Sequence, residues 1–277
     1  MKTLLLFGFC LSILALQAQK ATALPECLAE ISGIQYINDS TLIAHNDGGN
    51  ESALYILNFK GELKKKVIIK NVKNSDWEDI TYNGDYIFIG DIGNNINKRN
   101  KLKIHRVAIE DVLSKDSIVA QTMSFSYTEQ TSYPPAKKEL NFDAECLLYA
   151  EGYLWIFSKN RTEPFDGISN VYKFKFENNA DVVLKKEYSI SVGKSGWLHD
   201  SFTGGDYAFG YFYLITYNRI LKYELENGKF NLIKEQKFGE YNQKEAITVI
   251  KENDLLVANE KQKLLGSQKL YRISFKK

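Results

Sequence analysis

Acidic side chains recur at the start of similar apolar strands, and this recurrence is the main chemical feature of the chain. The clearest copies are Asp76-Trp77-Glu78-Asp79-Ile80, Asp143-Ala144-Glu145-Cys146-Leu147 and Glu245-Ala246-Ile247. A second apolar strand follows each copy and ends in a polar residue: Asp91, Lys159 and Asn259 in turn. Gathered carboxylate and amide oxygens can bind a hard cation, transfer a proton or hold a polar ligand.

These copies belong to a repeat that indicates the fold. The unit recurs about every 45–65 residues, with room for about four short strands, which is typical of a β-propeller. The sequence therefore predicts an all-β fold of five blades. Six blades is the alternative, if the insertion at 109–138 hides a degenerate blade.

The inner strands of a propeller run along a central channel, so their starts should form a ring. In register, that ring contains Ser32, Glu78, Glu145, Asp200 and Glu245. Carboxylates around a narrow channel repel one another unless positive charge lies among them. We therefore take calcium as a possible cofactor, with these candidate ligands: Glu78, Asp91, Glu145, Glu245 and Asn259. Hydrogen bonds to neighbouring backbone amides and direct acid–base catalysis are the open alternatives.

Other polar and aromatic residues are predicted at the same end of the channel. The candidate ligand-binding residues are Trp77, Asp76, Lys159, Arg161, Trp197 and Asn218. The two tryptophans can stack on a sugar or aromatic ligand, or they can fill space between blades. His45 and His199 are candidate general bases, or else hydrogen-bonded histidines at strand ends.

The first residues, 1–18, have the pattern of a secretory signal peptide. Lys2 precedes the apolar run Leu4 to Leu16, which is too short to span a bilayer and is followed by small residues. We predict a single propeller domain over 19–277, secreted or periplasmic, with no later membrane span. The formal net charge is +2 and the lysines are scattered, which argues against nucleic acid as a partner.

The mature chain has an incomplete last repeat unit and two cysteines. The last unit lacks a fourth strand, and we expect Cys27 to Glu30 to supply it, because closure leaves no long unpaired edge. Export would permit a disulfide between Cys27 and Cys146, with free thiols as the alternative. The chain has three histidines and no CxxC motif, so a Cys/His zinc site is effectively excluded.

Several segments together resemble a known group of proteins. They are Glu30-Ile31-Ser32-Gly33-Ile34, His45-Asn46-Asp47-Gly48-Gly49, Asp76-Trp77-Glu78-Asp79-Ile80, Gly90-Asp91-Ile92-Gly93-Asn94-Asn95, Asp143-Ala144-Glu145 and Ser158-Lys159-Asn160-Arg161. The chain resembles secreted bacterial propellers of the SdiA-regulated and phytase-like type over nearly its whole mature length. It is more distantly similar to the gluconolactonase and paraoxonase superfamily, where a channel calcium polarises an ester or lactone carbonyl. That resemblance implies Glu78, Glu145, Asp91 and Asn259 as calcium ligands.

Two functions follow from these observations. The favoured function is binding of a small-molecule or protein ligand at a polar, acidic channel mouth. The alternative is a calcium-dependent hydrolase of phosphoesters, esters or lactones. The sequence leaves open whether the protein is an enzyme.

Overall fold

Five β-sheets surround a common axis as the blades of a β-propeller in the computed structural model, which describes residues 20–239, 242–262 and 266–275. The five-blade prediction is confirmed, and the insertion at 109–138 does not form a sixth blade. The predicted signal peptide at 1–18 lies outside the described residues. Among the residues that are described, no helix is long and apolar enough to cross a bilayer.

Each blade is an antiparallel meander, with strands numbered here in chain order and the innermost strand given first. Blade 1 contains β2 (Ile31–Asn38), β3 (Thr41–Asn46), β4 (Ala53–Leu57) and β5 (Leu63–Ile69). Blade 2 contains β6 (Trp77–Tyr82), β7 (Tyr86–Asp91), β8 (Leu102–Ala108) and β10 (Gln121–Tyr127). Blade 3 contains β11 (Asp143–Ala150), β12 (Tyr153–Lys159), β13 (Ile168–Phe174) and β15 (Tyr188–Ser191).

The remaining elements complete the ring. Blade 4 contains β16 (Gly204–Ala208), β17 (Tyr211–Ile215), β18 (Arg219–Glu226) and β19 (Lys229–Lys237). Blade 5 contains β20 (Lys244–Lys251), β21 (Asp254–Asn259), β22 (Lys269–Ser274) and β1 (Lys20–Ala23). Two outer strands are β9 (Ser117–Ile118) beside β5 and β14 (Asp181–Leu184) beside β10. The helices are α1 (Ile109–Ser114), α2 (Trp197–Asp200) and the 3-10 turns Glu26–Leu28 and Lys137–Glu139.

An N-terminal strand does close the ring, but the predicted segment was wrong. Strand β1 pairs antiparallel with β22, whereas Cys27 lies in the 3-10 turn that follows. Pro25 ends the strand because it has no N–H to donate to a ladder, and it begins the turn instead. Cys27 is exposed and Cys146 is buried, and both are free thiols, so the permitted disulfide does not form.

The chain from Asp181 to Ser191 supplies outer strands to two different blades. Strand β14 runs parallel to β10 of blade 2, and only β15 pairs with β13. Leu184 packs in the core between blades 2 and 3, and Ile190 packs in the core between blades 3 and 4. The apolar residues at the two ends of this segment therefore face different cores, which separates the strands.

The innermost strands are joined by one buried carboxylate, Asp79. It accepts hydrogen bonds from the backbone N–H groups of Ile80 at 2.8 Å, Leu147 at 2.9 Å and Gly205 at 3.3 Å. These three donors belong to blades 2, 3 and 4. Asp79 is fully buried, so water cannot replace it as their acceptor.

We therefore expect Asp79→Ala to lower the free energy of unfolding by roughly 3–5 kcal/mol, since up to three buried donors lose their acceptor. Urea unfolding followed by circular dichroism measures this change. Asp85→Ala, on the exposed turn between β6 and β7, is the matched control and should change it by less than about 0.5 kcal/mol. Equal stability of the two variants would show that Asp79 does not join the blades.

Candidate functional site at the axial mouth

A β-bulge at the same place in four inner strands positions the main side chains of the site. Between the first and second strands of blades 1, 2, 3 and 5, the register shifts at Ser32, Glu78, Glu145 and Glu245. A bulge inserts one unpaired residue and re-aims its side chain. In blade 4 the pairing of β16 with β17 has no such shift.

The three bulge glutamates lie at one end of the channel and influence one another electrostatically. Burial, together with the charges of Glu145 and Asp47, raises the pKa of Glu78 well above its usual range. Burial also raises the pKa of Glu145 to about 7, and Glu245 adds to that rise. Burial and the neighbouring Glu260 carboxylate both raise the pKa of Glu245 well above its usual range. The structure thus brings Glu78, Glu145 and Glu245 together near the start of the inner strands, and we call this end of the channel the axial mouth.

Asp47, Asp76 and Glu78 form a tighter group within this mouth, which we call the acidic triad. One carboxylate oxygen from each lies within 4.8 Å of the others. Glu78 is 5% exposed, so its carboxyl group is largely removed from water. Burial raises the pKa of Asp47 to about 7 and also raises that of Asp76, although Arg99, at 3.9 Å, opposes the second shift.

The blade 3 side of the mouth contains a buried basic residue, Lys159. This residue is almost completely buried at the end of β12 and donates to Glu145 and, at 2.9 Å, to the Tyr217 hydroxyl. Burial alone would lower the pKa of Lys159, but the Glu145 carboxylate outweighs it and the pKa is raised. Tyr217 in turn donates to Glu245 at 3.2 Å. A continuous chain of Glu145, Lys159, Tyr217 and Glu245 therefore crosses this half of the mouth.

Arg161 and Trp197 form the rim beside this chain. The Arg161 guanidinium pairs with Asp143 at 2.6 Å and lies 3.6 Å from Glu145. It also covers the Trp197 indole, 5.0 Å from the ring centre. Trp197 is 41% exposed. Asn218, at the same rim, contacts His199 with its side-chain nitrogen at 3.2 Å from Nδ1.

Four of the five predicted metal ligands lie outside the acidic triad: Glu145 and Glu245, described above, and Asp91 and Asn259. The carboxylate of Asp91 is buried, pairs with Arg99 at 2.6 Å and lies 3.7 Å from Nε2 of His105. Burial alone would raise the pKa of Asp91, but these two partners outweigh it and the pKa is lowered. Asn259 donates from its side chain to the backbone oxygens of Glu260 and Ser267. Both side chains thus support neighbouring chain segments.

Trp77 and His45 lie in the core. Trp77 is fully buried between His45, at 5.6 Å, and His105, at 6.0 Å between ring centres. It therefore presents no surface to a ligand, and it fills space between blades 1 and 2. His45 is also fully buried, and burial lowers its pKa to about 4, so its ring is neutral near neutral pH. His199 is the more accessible of the two candidate bases.

Asp200 does not occupy the ring position that the repeat predicted. It lies on helix α2 and pairs with Arg219 at 2.7 Å, and the inner strand of blade 4 begins later, at Gly204. Tyr217 was not predicted from the sequence, although it directly precedes Asn218 at the end of a second strand. Asp47 was not among the candidate ligands, because Asn46-Asp47-Gly48-Gly49 also satisfies a tight turn.

Comparison with known proteins identifies the architecture only. No family model and no curated protein matches the chain. It is similar in structure to Myxococcus xanthus glutaminyl cyclase, with a TM-score of 0.53 and 9% identity over 91% of this chain and 93% of that one. It is also similar to the PQQ-bound aldose sugar dehydrogenase of Streptomyces coelicolor, with a TM-score of 0.50 and 10% identity over 92% and 98%. At these identities the likeness supports the propeller fold and says nothing of the reaction.

The raised carboxyl pKa values predict how stability depends on pH in the presence of a chelator. Asp47 and Glu145 move from 3.8 and 4.5 to about 7, so the folded state holds more protons than the unfolded state between these values. Their contribution is full below about pH 4 and is lost as the pH rises through about 7. We expect the Tm to fall over this window, as measured by differential scanning fluorimetry in EGTA. A Tm that rises steadily from pH 5 to pH 8 would contradict this assignment.

Proposed function

We propose that the protein is an exported binding propeller that holds a divalent cation, calcium by its ligand chemistry, at the acidic triad. The cation helps to bind a ligand at the axial mouth. The observation that carries this proposal is the buried Glu78 carboxyl group, held within 4.8 Å of two further carboxyl groups whose charges help to raise its pKa. Buried charges are normally paired or coordinate a metal.

The donor set supports calcium among the common cations. Carboxylate oxygens are hard ligands, and calcium accepts 6–8 oxygens in flexible geometry. Three triad side chains would leave coordination positions for water or for ligand oxygens. Bound calcium would also relieve the repulsion that raises the carboxyl pKa values, because an opposite charge favours the ionised form.

Thermal melting with calcium and then with EGTA tests the cation site. At about 100 times its Kd, calcium should stabilise the fold by about 2.7 kcal/mol, which corresponds to a rise in Tm of roughly 5–10 °C. Glu78→Gln should abolish this rise. It should not lower the Tm in EGTA, since burial and the neighbouring carboxylates already disfavour the ionised form of Glu78 and glutamine is neutral.

Asp116→Asn is the matched control, because its side chain is 96% exposed and the substitution changes the charge equally. It should respond to calcium like the unmodified protein. If calcium leaves the Tm of the unmodified protein unchanged at pH 8, the proposed cation site is wrong.

A second function, hydrolysis of phosphoesters, esters or lactones, is favoured by one observation. The connected groups Glu145, Lys159, Tyr217 and Glu245 lie beside the triad, and such a chain can carry protons next to a Lewis-acidic cation. Titratable groups with perturbed pKa values in a polar cleft are candidates for acid–base catalysis.

The hydrolase candidate is tested with a substrate panel at several pH values in the presence of calcium. We expect Glu145→Gln to lower kcat/KM by about 100-fold or more, as loss of a general acid or base does. The calcium-dependent rise in Tm should persist in this variant, which separates catalysis from metal binding. If the unmodified protein turns over no phosphoester, ester or lactone of the panel, the binding function alone is retained.

Export and the resemblance to secreted propellers of the SdiA-regulated and phytase-like type complete the proposal. The signal pattern at 1–18 and the short repeats Asp76-Trp77-Glu78-Asp79-Ile80 and Gly90-Asp91-Ile92-Gly93-Asn94-Asn95 support it. Fold alone does not determine activity on this scaffold, so the residues of the mouth, and not the propeller architecture, support the proposed function.

A further inference from the structure

The charge balance at the mouth limits which ligands can bind there. The carboxylates that interact in this region are Asp47, Asp76, Glu78, Asp91, Asp143, Glu145, Glu245 and Glu260. The basic side chains that pair with them are Arg99, Lys159 and Arg161. Carboxylates therefore remain in excess even with one divalent cation bound, so an anionic ligand would be repelled.

The two basic residues nearest the rim are already occupied. Lys159 binds Glu145 and Tyr217, and Arg161 binds Asp143 and Asn95. Neither offers an uncompensated charge to a phosphate or carboxylate of a ligand. Their positions relative to Trp197 point to a different role, because Arg161 supports one face of the indole.

The indole of Trp197 is held as a rigid, open platform at the rim. Helix α2 is fixed by Asp200, which accepts from Arg219 at 2.7 Å and from the Ser195 backbone at 2.5 Å. Arg219 also donates to the backbone oxygen of His199 at 3.1 Å. Arg161 lies over the ring, the Lys159 nitrogen is 6.0 Å from the ring centre, and the 41% of the residue that is exposed is accessible to a ligand. A platform ordered before binding loses little entropy on binding.

The platform lies beside Lys159, which connects it to the bulge glutamates. The Trp197 ring centre is 6.0 Å from the Lys159 nitrogen, which contacts Glu145, and the charge of Glu145 in turn acts on Glu78. Asn218 and His199 add hydrogen-bonding groups on the same rim. The aromatic face and hydrogen-bonding groups of the rim are thus connected through Lys159 and Glu145 to the acidic triad.

We infer that the ligand is a neutral saccharide whose ring stacks on Trp197 and whose adjacent hydroxyl groups coordinate the cation at the acidic triad. This inference rests on the proposed function, because the hydroxyl groups need the cation. A sugar ring offers an apolar face of C–H groups to an indole and hydroxyl oxygens to a hard cation. It carries no charge for the excess carboxylates to repel.

Tryptophan fluorescence titration tests the inference, since Trp77 and Trp155 are fully buried and Trp197 is the exposed member of the three. The probes are methyl glycosides of glucose, galactose and xylose, compared with glucuronate, glucose 6-phosphate and choline, each in calcium and in EGTA. We expect the neutral glycosides to bind in calcium and not in EGTA. Trp197→Ala removes the reporter, so its affinity is measured by isothermal titration calorimetry beside the unmodified protein. It should be about tenfold weaker or more, from the loss of aromatic contact.

Phe209→Ala is the matched control, because Phe209 is 58% exposed on the turn at the far end of the inner strand of blade 4. It should leave glycoside affinity unchanged, and Trp197→Ala should keep the calcium-dependent rise in Tm. Preferential binding of an anionic probe or of choline, equal binding in EGTA, or unchanged affinity in Trp197→Ala would each overturn the inference. If calcium raises the Tm but no neutral glycoside binds, the saccharide inference fails alone. Failure of the proposed function would instead appear as a Tm that calcium does not change.

Discussion

Burial of several carboxylates around one axis is the constraint to which the rest of this mouth responds. The bulges at Glu78, Glu145 and Glu245 place these side chains at one end of the channel, where little water reaches them. Ionising all of them without positive charge would cost more than a domain can tolerate, because burial and like-charge repulsion both oppose the charged form. Each carboxylate must therefore hold a proton, pair with a cationic side chain or bind a cation.

The two halves of the mouth meet this constraint differently. Around blades 3 and 4, Lys159 and Arg161 pair with Glu145 and Asp143, so the protein supplies the cations itself. Around blades 1 and 2, Arg99 is committed to Asp91 and approaches Asp76 only to 3.9 Å. Among these groups, the acidic triad thus has the least compensating positive charge.

Sequence analysis predicted the parts of the structure that repeat and failed where the repeat is broken. Glu78, Glu145 and Glu245 were placed at a common mouth because each opens an apolar strand in the same local pattern. Asp200 was misplaced since the segment from Gly193 to Ser201 forms helix α2 and its anchor, which delays the inner strand of blade 4. The acidic signal there belongs to an ion pair with Arg219.

Other errors arose because sequence patterns do not reveal which neighbour a side chain faces. Trp77 follows Asp76 and precedes Glu78, so it looked like a rim residue, but alternation along β6 turns it into the core. The closing strand was expected at Cys27 to Glu30, yet Pro25 shifts the pairing to Lys20–Ala23. Tyr217 links two halves of a network through its hydroxyl group, a contact between blades that no local pattern encodes.

A set of bonds between the inner strands lies deeper in the channel than the mouth. Asp79 directly follows Glu78 and accepts N–H groups from three blades. Two residues further along, Thr81 accepts from Tyr149, as Thr248 does from Tyr36 and Asp206 does from Val249. These residues hold the inner strands together, so the side chain of Glu78 is not needed for that purpose. Asp79 and Asp206 thus have, within the inner strands, the structural role that the sequence also allowed for the acidic residues.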